Sequence, residues 1–290
     1  GPPASPPTGP PRPRPPMAPA PAPEPLAGLR APWRQAAACL SMLCLAGGLW
    51  RGLRGEGLGA GLDAASCAAG PHCLSEAEAS GARRLAVLGS SVARGQGARP
   101  LHKGWAHLLA AALRPLNFSA ANHAIGGTTV DAWQGLLQGP LADKLRGVDI
   151  AIMSLSLGNE GLSRAHSPEQ IAALERHFLA GLYAIVQRLR TALPPSARLV
   201  LGGPYPHGHY GQQHLEALER VRAELLSWGE VDHVIDFLGP GVHGAHGAWA
   251  AGVEEDPAHP NTEGHARMFA SVRLPELLGP LAAGPGASKL

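Results

Sequence analysis

The chain has 290 residues, 24 Lys and Arg against 22 Asp and Glu, and a formal net charge of +2. So balanced a charge, with only 4% aromatic residues, excludes the basic, base-stacking surface that nucleic-acid binding requires. The four Cys (Cys39, Cys44, Cys67 and Cys73) all precede residue 83 and form no C-x-x-C, which excludes a zinc ribbon or a thioredoxin-like redox site.

Residues 1–29 are dominated by Pro and Ala without an apolar period. They cannot bury enough surface to offset their ordering entropy, so disorder with polyproline II character is expected. Residues 30–54 carry an apolar run, 36–50, between Arg30 and Arg34 on one side and Arg51 and Arg54 on the other. The run suits a secretory signal or a signal anchor, with membrane attachment through 36–50, and is short for a full span of about 20 residues. A secretory-pathway protein, secreted or anchored, is expected; an organelle transit sequence is the alternative. Asn117-Phe118-Ser119 matches the N-glycosylation acceptor and agrees with the secretory route. Residues 55–82 read as a Gly/Ala-rich linker, within which Cys67 and Cys73 could close a small loop in an oxidising compartment.

Regular periodicity begins near Arg83 and defines one domain, 83–282, followed by a tail, 283–290. Leu85–Leu88 is the first strand, ending at Gly89. A helix over 104–113 stops before Pro115, and 118–125 is a second strand. Gly126-Gly127 leads into a helix capped by Thr128 or Thr129, with Asp131 in its first turn. Residues 148–155 form a nearly continuous apolar run, the pattern of a strand buried on both faces. The longest helix follows, with Ser167 as N-cap, Pro168 at its first position, and Ile171, Leu174, Phe178, Leu182, Ile185 and Leu189 in one stripe up to Pro194-Pro195. Strand 197–202, helix 212–228, strand 231–237, a loop over 254–261 and a helix from Thr262 to Leu278 complete the order. Alternating strands and helices of this kind predict an α/β fold, with a mostly parallel five-stranded sheet between two helical layers.

Ligands bind such sheets beyond the carboxyl ends of the strands. Ser91, Gly126-Gly127, Asn159 and the loop holding Asp256 and His259 all follow strands at that edge. Acyl transfer needs a nucleophile, a base, a group that orients the base, and donors for the oxyanion. Ser91 supplies the hydroxyl, His259 the base and Asp256 the orienting carboxylate. The oxyanion donors are the backbone N–H of Ser91, the backbone N–H of Gly127 and the side-chain amide of Asn159. Glu254 and Glu255 are alternatives for the acid.

Four blocks carry a resemblance. Gly89-Ser90-Ser91 with Gly95, Asn122 to Thr129, Leu157-Gly158-Asn159-Glu160, and Asp256-Pro257-Ala258-His259-Pro260-Asn261 are similar, in order, to the conserved blocks of the SGNH hydrolases, also called the GDSL esterase family. The resemblance covers about 83–280. It implies a flavodoxin-like three-layer α/β/α sandwich. It also implies a serine esterase acting on O-acyl esters, acetyl or short acyl, through an acyl-Ser91 intermediate, with a Ser91-His259-Asp256 triad and no metal or cofactor. Its substrate would be a small-molecule, carbohydrate or lipid acyl ester, with no nucleic-acid partner. Three positions depart from the family pattern: Ser90 stands where the family has Asp and is itself a rival nucleophile, Glu160 replaces Asp, and Ala124 replaces Gly. Two further functions stay open on the same fold, a carbohydrate O-acyltransferase and a non-catalytic binding module. A G-x-S-x-G elbow is excluded because Ala93 follows Ser91 at the second Gly position. His207-x-His209 and His243-x-x-His246 lack the Cys or acidic partners of a metal site. Tyr205, His207 and Tyr210 are candidates for lining a cleft.

Overall fold

The computed structural model of the protein describes residues 81–239 and 241–283. The expected disordered, signal or anchor and linker segments before residue 81, including Cys67 and Cys73, lie outside the described residues. The chain divides between residues 63 and 64, and every described residue falls in the second part. Among the described residues no helix is long and apolar enough to cross a membrane.

The elements run β1 (Arg83–Gly89), α1 (Ser91–Arg94), α2 (Trp105–Leu113), β2 (Phe118–Asn122), α3 (Val130–Leu136), α4 (Leu141–Lys144), β3 (Ile150–Ser154) and α5 (Pro168–Ala192). Then come β4 (Arg198–Gly202), α6 (Gln212–Ser227), β5 (His233–Ile235), β6 (Glu254–Asp256), β7 (His259–Pro260), α7 (Thr262–Ala270) and α8 (Leu274–Leu278). β1 to β5 pair in parallel in the order β2-β1-β3-β4-β5, while β6 and β7 form a separate antiparallel pair.

Side chains alternate across the strands and so build two cores. Ala86, Leu88, Ala151, Met153, Leu199 and Leu201 face Trp133 of α3, Ile171, Phe178 and Ile185 of α5, and Val221 of α6. Leu85, Val87, Ile150, Ile152 and Val200 face Trp105 and Leu109 of α2, Met268 of α7 and Leu277 of α8. The three-layer α/β/α architecture is therefore the one expected from the sequence. Full burial of a Leu or Ile side chain contributes about 1.5–3 kcal/mol, so the two faces of the sheet hold the domain together. α5 begins with a capping box: Ser167 Oγ accepts the Gln170 N–H (3.2 Å), and Gln170 Oε1 accepts the Ser167 N–H (3.2 Å).

Some boundaries differ from the sequence expectation. The second strand ends at Asn122 rather than 125, because Asn122 Oδ1 accepts the Ala124 N–H (3.0 Å) and turns the chain. The fifth strand is confined to His233–Ile235. The single terminal helix expected over 262–278 is two helices separated at 271–273. Pro275 has no N–H to give, and its ring would clash with the carbonyl of Ser271 in a continuous helix.

The strand order matters for the site. In a 2-1-3-4-5 sheet the chain leaves β1 toward one neighbour and returns past it to β3. The crevice opens where these connections part, at the carboxyl ends of β1 and β3. Residues 89–91 leave the first of those ends, and 155–160 leave the second.

Candidate active site

The chain turns sharply at the end of β1. Gly89 has φ +142°, and a Cβ there would overlap the Ser154 carbonyl of the adjoining strand, so only Gly fits. Ser90 is fully buried, while Ser91 opens α1 and is 6% exposed. The Ser91 Oγ lies 3.0 Å from His259 Nε2. His259 Nδ1 lies 2.8 Å from both carboxylate oxygens of Asp256. The structure thus brings together three residues that span 168 positions of sequence, as the difference 259 − 91 shows. The β6–β7 turn aligns the last two, with Asp256 Oδ1 also accepting the Ala258 N–H (2.8 Å). Partial burial works against ionisation of Asp256, but the hydrogen bonds from His259 and Ala258 outweigh it and hold the carboxyl below its usual range.

Of the other acids, Glu255 pairs with Arg99 across the loop and Glu254 lies against Gly208; neither meets His259. Ser90 Oγ points inward to Tyr205 Oη (3.2 Å), away from any base.

The Gly126-Gly127 turn packs beside the Ser91 side chain: a Cβ on Gly126 would lie 3.7 Å from that of Ser91. Among the described residues the backbone N–H groups of Ser91 and Gly127 donate to no protein group. Thr128 and Trp133 pin the turn to β1. Thr128 Oγ1 donates to the Ile125 carbonyl (2.8 Å), and Trp133 Nε1 donates to the Gly89 carbonyl (3.2 Å) and to Thr128 Oγ1 (2.9 Å). Asn159 Nδ2 donates one hydrogen to the Thr128 carbonyl (2.9 Å), leaving its second to point elsewhere. Glu160 Oε1 accepts the Val130 N–H (2.8 Å) at the start of α3. Burial raises the Glu160 pKa, while that N–H and His177 work in the opposite direction. The longer side chain at 160 thus ties the Asn159 turn to the Gly126-Gly127 turn.

Two supports were not apparent from the sequence. Gly97 has φ +96°, and a Cβ there would overlap the Pro260 carbonyl and sit 3.2 Å from His259 Cβ. His265 is buried in the core side of α7; its Nδ1 accepts the Trp105 N–H (3.3 Å) and its Nε2 donates to the Gln96 carbonyl (2.9 Å). Burial, with His259 and His107 nearby, pushes it down to about 4, although the Gln96 carbonyl favours its charged form. The 95–104 loop is thereby held against the His259 loop.

Of the cleft candidates, Tyr205 and Tyr210 are buried and His207 is half-buried. His207 Nδ1 accepts the His209 N–H (3.1 Å), so Nε2 carries the proton, and the ring stacks on Tyr210 (5.1 Å). Burial, with His209 nearby, pushes His207 down to about 4, and it is neutral at ordinary pH. Among the described residues no group of three or more His, Cys, Asp or Glu is arranged to hold a metal ion.

Residues 87–267 match the GDSL-like Lipase/Acylhydrolase family. No curated protein matches the chain. Among solved structures, TesA is 25% identical, with a TM-score of 0.53 over 69% of this chain and 99% of its own. The esterase EstA from Pseudoalteromonas sp., inhibited by monoethylphosphonate, is 18% identical, with a TM-score of 0.49 over 65% of this chain and 93% of its own. A catalytic mutant of Axe2, an acetylxylan esterase from Geobacillus stearothermophilus, is 15% identical, with a TM-score of 0.49 over 68% of this chain and 94% of its own.

Proposed function

The chain belongs to the GDSL-like lipase/acylhydrolase family, and from that premise we propose that it is a serine esterase that hydrolyses acetyl or short-acyl O-esters through an acyl-Ser91 intermediate. The observation that carries this reading is the continuous relay from Ser91 Oγ to His259 Nε2 (3.0 Å) and from His259 Nδ1 to Asp256 (2.8 Å).

His259 Nε2 takes the Ser91 proton as Oγ attacks the ester carbonyl carbon. Asp256 keeps the ring oriented with its proton on Nδ1 and stabilises the imidazolium that forms. The developing oxyanion is met by the Ser91 and Gly127 N–H groups and by the free Asn159 amide hydrogen; each such donor is worth about 2.7–4 kcal/mol in the transition state. The imidazolium returns its proton to the leaving alcohol as the C–O bond breaks. Water then attacks acyl-Ser91 with His259 again as base, releasing the carboxylic acid and restoring the serine hydroxyl. No step calls on a metal or cofactor.

Polar groups at the rim, the exposed Gln96 and the Nε2–H of His207, favour an ester whose alcohol part is itself polar, such as a carbohydrate. The route through the secretory pathway is part of the same proposal. It is supported by the basic-flanked apolar run 36–50 and by an exposed Asn117 in the acceptor triplet. A glycosidase-sensitive mass shift that Asn117→Gln abolishes would bear it out, and an unglycosylated product from eukaryotic cells would contradict it.

The enzymatic reading is tested with Ser91→Ala on p-nitrophenyl acetate. Turnover is expected to disappear while the circular dichroism spectrum is unchanged. Full activity in the folded variant would contradict the assignment.

A further inference from the structure

Ser90 occupies the family's Asp position, and its hydroxyl is not idle. It is fully buried and lies 3.2 Å from Tyr205 Oη, itself only 4% exposed. Tyr205 comes from the loop after β4. On its other side the Tyr205 ring stacks against Trp249 (6.2 Å between centroids, 23° between planes). Trp249 Nε1 donates to the Pro257 carbonyl (3.1 Å), between Asp256 and His259. One buried side chain thus contacts the nucleophile turn directly, and the acid–base loop through Trp249.

We propose that Tyr205 is a positioning residue, whose hydroxyl, bonded to Ser90, sets the nucleophile turn against the acid–base loop that its ring contacts through Trp249. The inference rests on the acyl-Ser91 reading given above. The Ser90–Tyr205 bridge is buried, so its two hydroxyls exchange little with water, and removing the tyrosine hydroxyl leaves Ser90 without its partner. The nucleophile then sits on a turn that is no longer bonded to the side chain linking it with the loop of its base. Catalysis is sensitive to such displacement: about 1 Å of misplacement can lower the rate by about a hundredfold. Ground-state binding of the ester does not use the bridge, so KM is expected to be little affected.

The test compares Tyr205→Phe, Ser90→Ala and the double variant in the full chain, with Ser91→Ala as control. Tyr205→Phe is expected to lower kcat at least about tenfold with KM within about twofold. Ser90→Ala should lower kcat in the same way and carries the test if the phenylalanine variant does not fold. The double variant should lose no more than the larger single loss, because both changes break one bridge. Folded single variants with kcat within about twofold of wild type would overturn the inference while inactive Ser91→Ala left the esterase reading standing, as would losses that multiply in the double variant. An active Ser91→Ala enzyme would overturn both.

Discussion

His265 offers a direct measurement of how the fold supports the site. Both its ring nitrogens are bonded inside the domain, one to the Trp105 N–H and one to the Gln96 carbonyl. Burial pushes its pKa from 6.5 to about 4. The unfolded chain therefore binds a proton that the folded chain refuses. The stability it contributes is fully present above about pH 6.5 and is lost as the pH falls toward about 4. Each pH unit in that window is worth about 1.4 kcal/mol, so the loss reaches about 2 kcal/mol near pH 5. His265→Gln keeps a donor and an acceptor but has nothing to titrate. Urea unfolding of wild type and variant at about pH 8 and about pH 5 should show the wild-type advantage shrinking by about 2 kcal/mol at the lower pH. Other, half-buried histidines, including His207 and His107, titrate in both proteins and cancel in the difference. Stability curves that stay parallel to within about 0.5 kcal/mol would refute the reasoning.

Three further outcomes are expected. Asp256→Asn should lower kcat by about two to four orders of magnitude with little change in KM, the smaller loss being favoured because the carboxylate is half-exposed; steady-state kinetics on p-nitrophenyl acetate decide it, and a loss below about tenfold would contradict the role. Asn159→Ala should lower kcat by about 10²–10³, read by the same assay, with a wild-type rate counting against the oxyanion assignment. Gly97→Ala forces a side chain onto the Pro260 carbonyl in a left-handed backbone position; a stability loss of about 1–3 kcal/mol together with reduced kcat is expected, and thermal melts with unchanged Tm and kcat would contradict the packing argument.

The order of elements was legible because each strand and helix declares itself locally. Val148 to Leu155 is apolar but for Asp149 and Ser154, and Ser167-Pro168 announces the start of the long helix. The site was legible for the same reason at four short blocks, since Asp256 and His259 share one turn and Ser91 follows a strand directly. The contacts that hold those blocks in register were not legible. Tyr205 reaches Ser90 across 115 positions and His265 reaches Gln96 across 169, and neither leaves a periodic trace in the sequence. Only Pro275 signals the break before Leu274, because the apolar spacing on both sides continues in phase. The β6–β7 pair was hidden in a short acidic loop whose composition favours no strand.

The central claim is that Ser91, and no other hydroxyl, attacks the substrate. A fluorophosphonate tests it most directly: the serine oxygen displaces fluoride at phosphorus and leaves a stable adduct. Peptide mass mapping after stoichiometric labelling should find the phosphonyl group on Ser91, with activity lost in proportion and with no label in Ser91→Ala. A label on Ser90, or full inactivation without any adduct on Ser91, would contradict it.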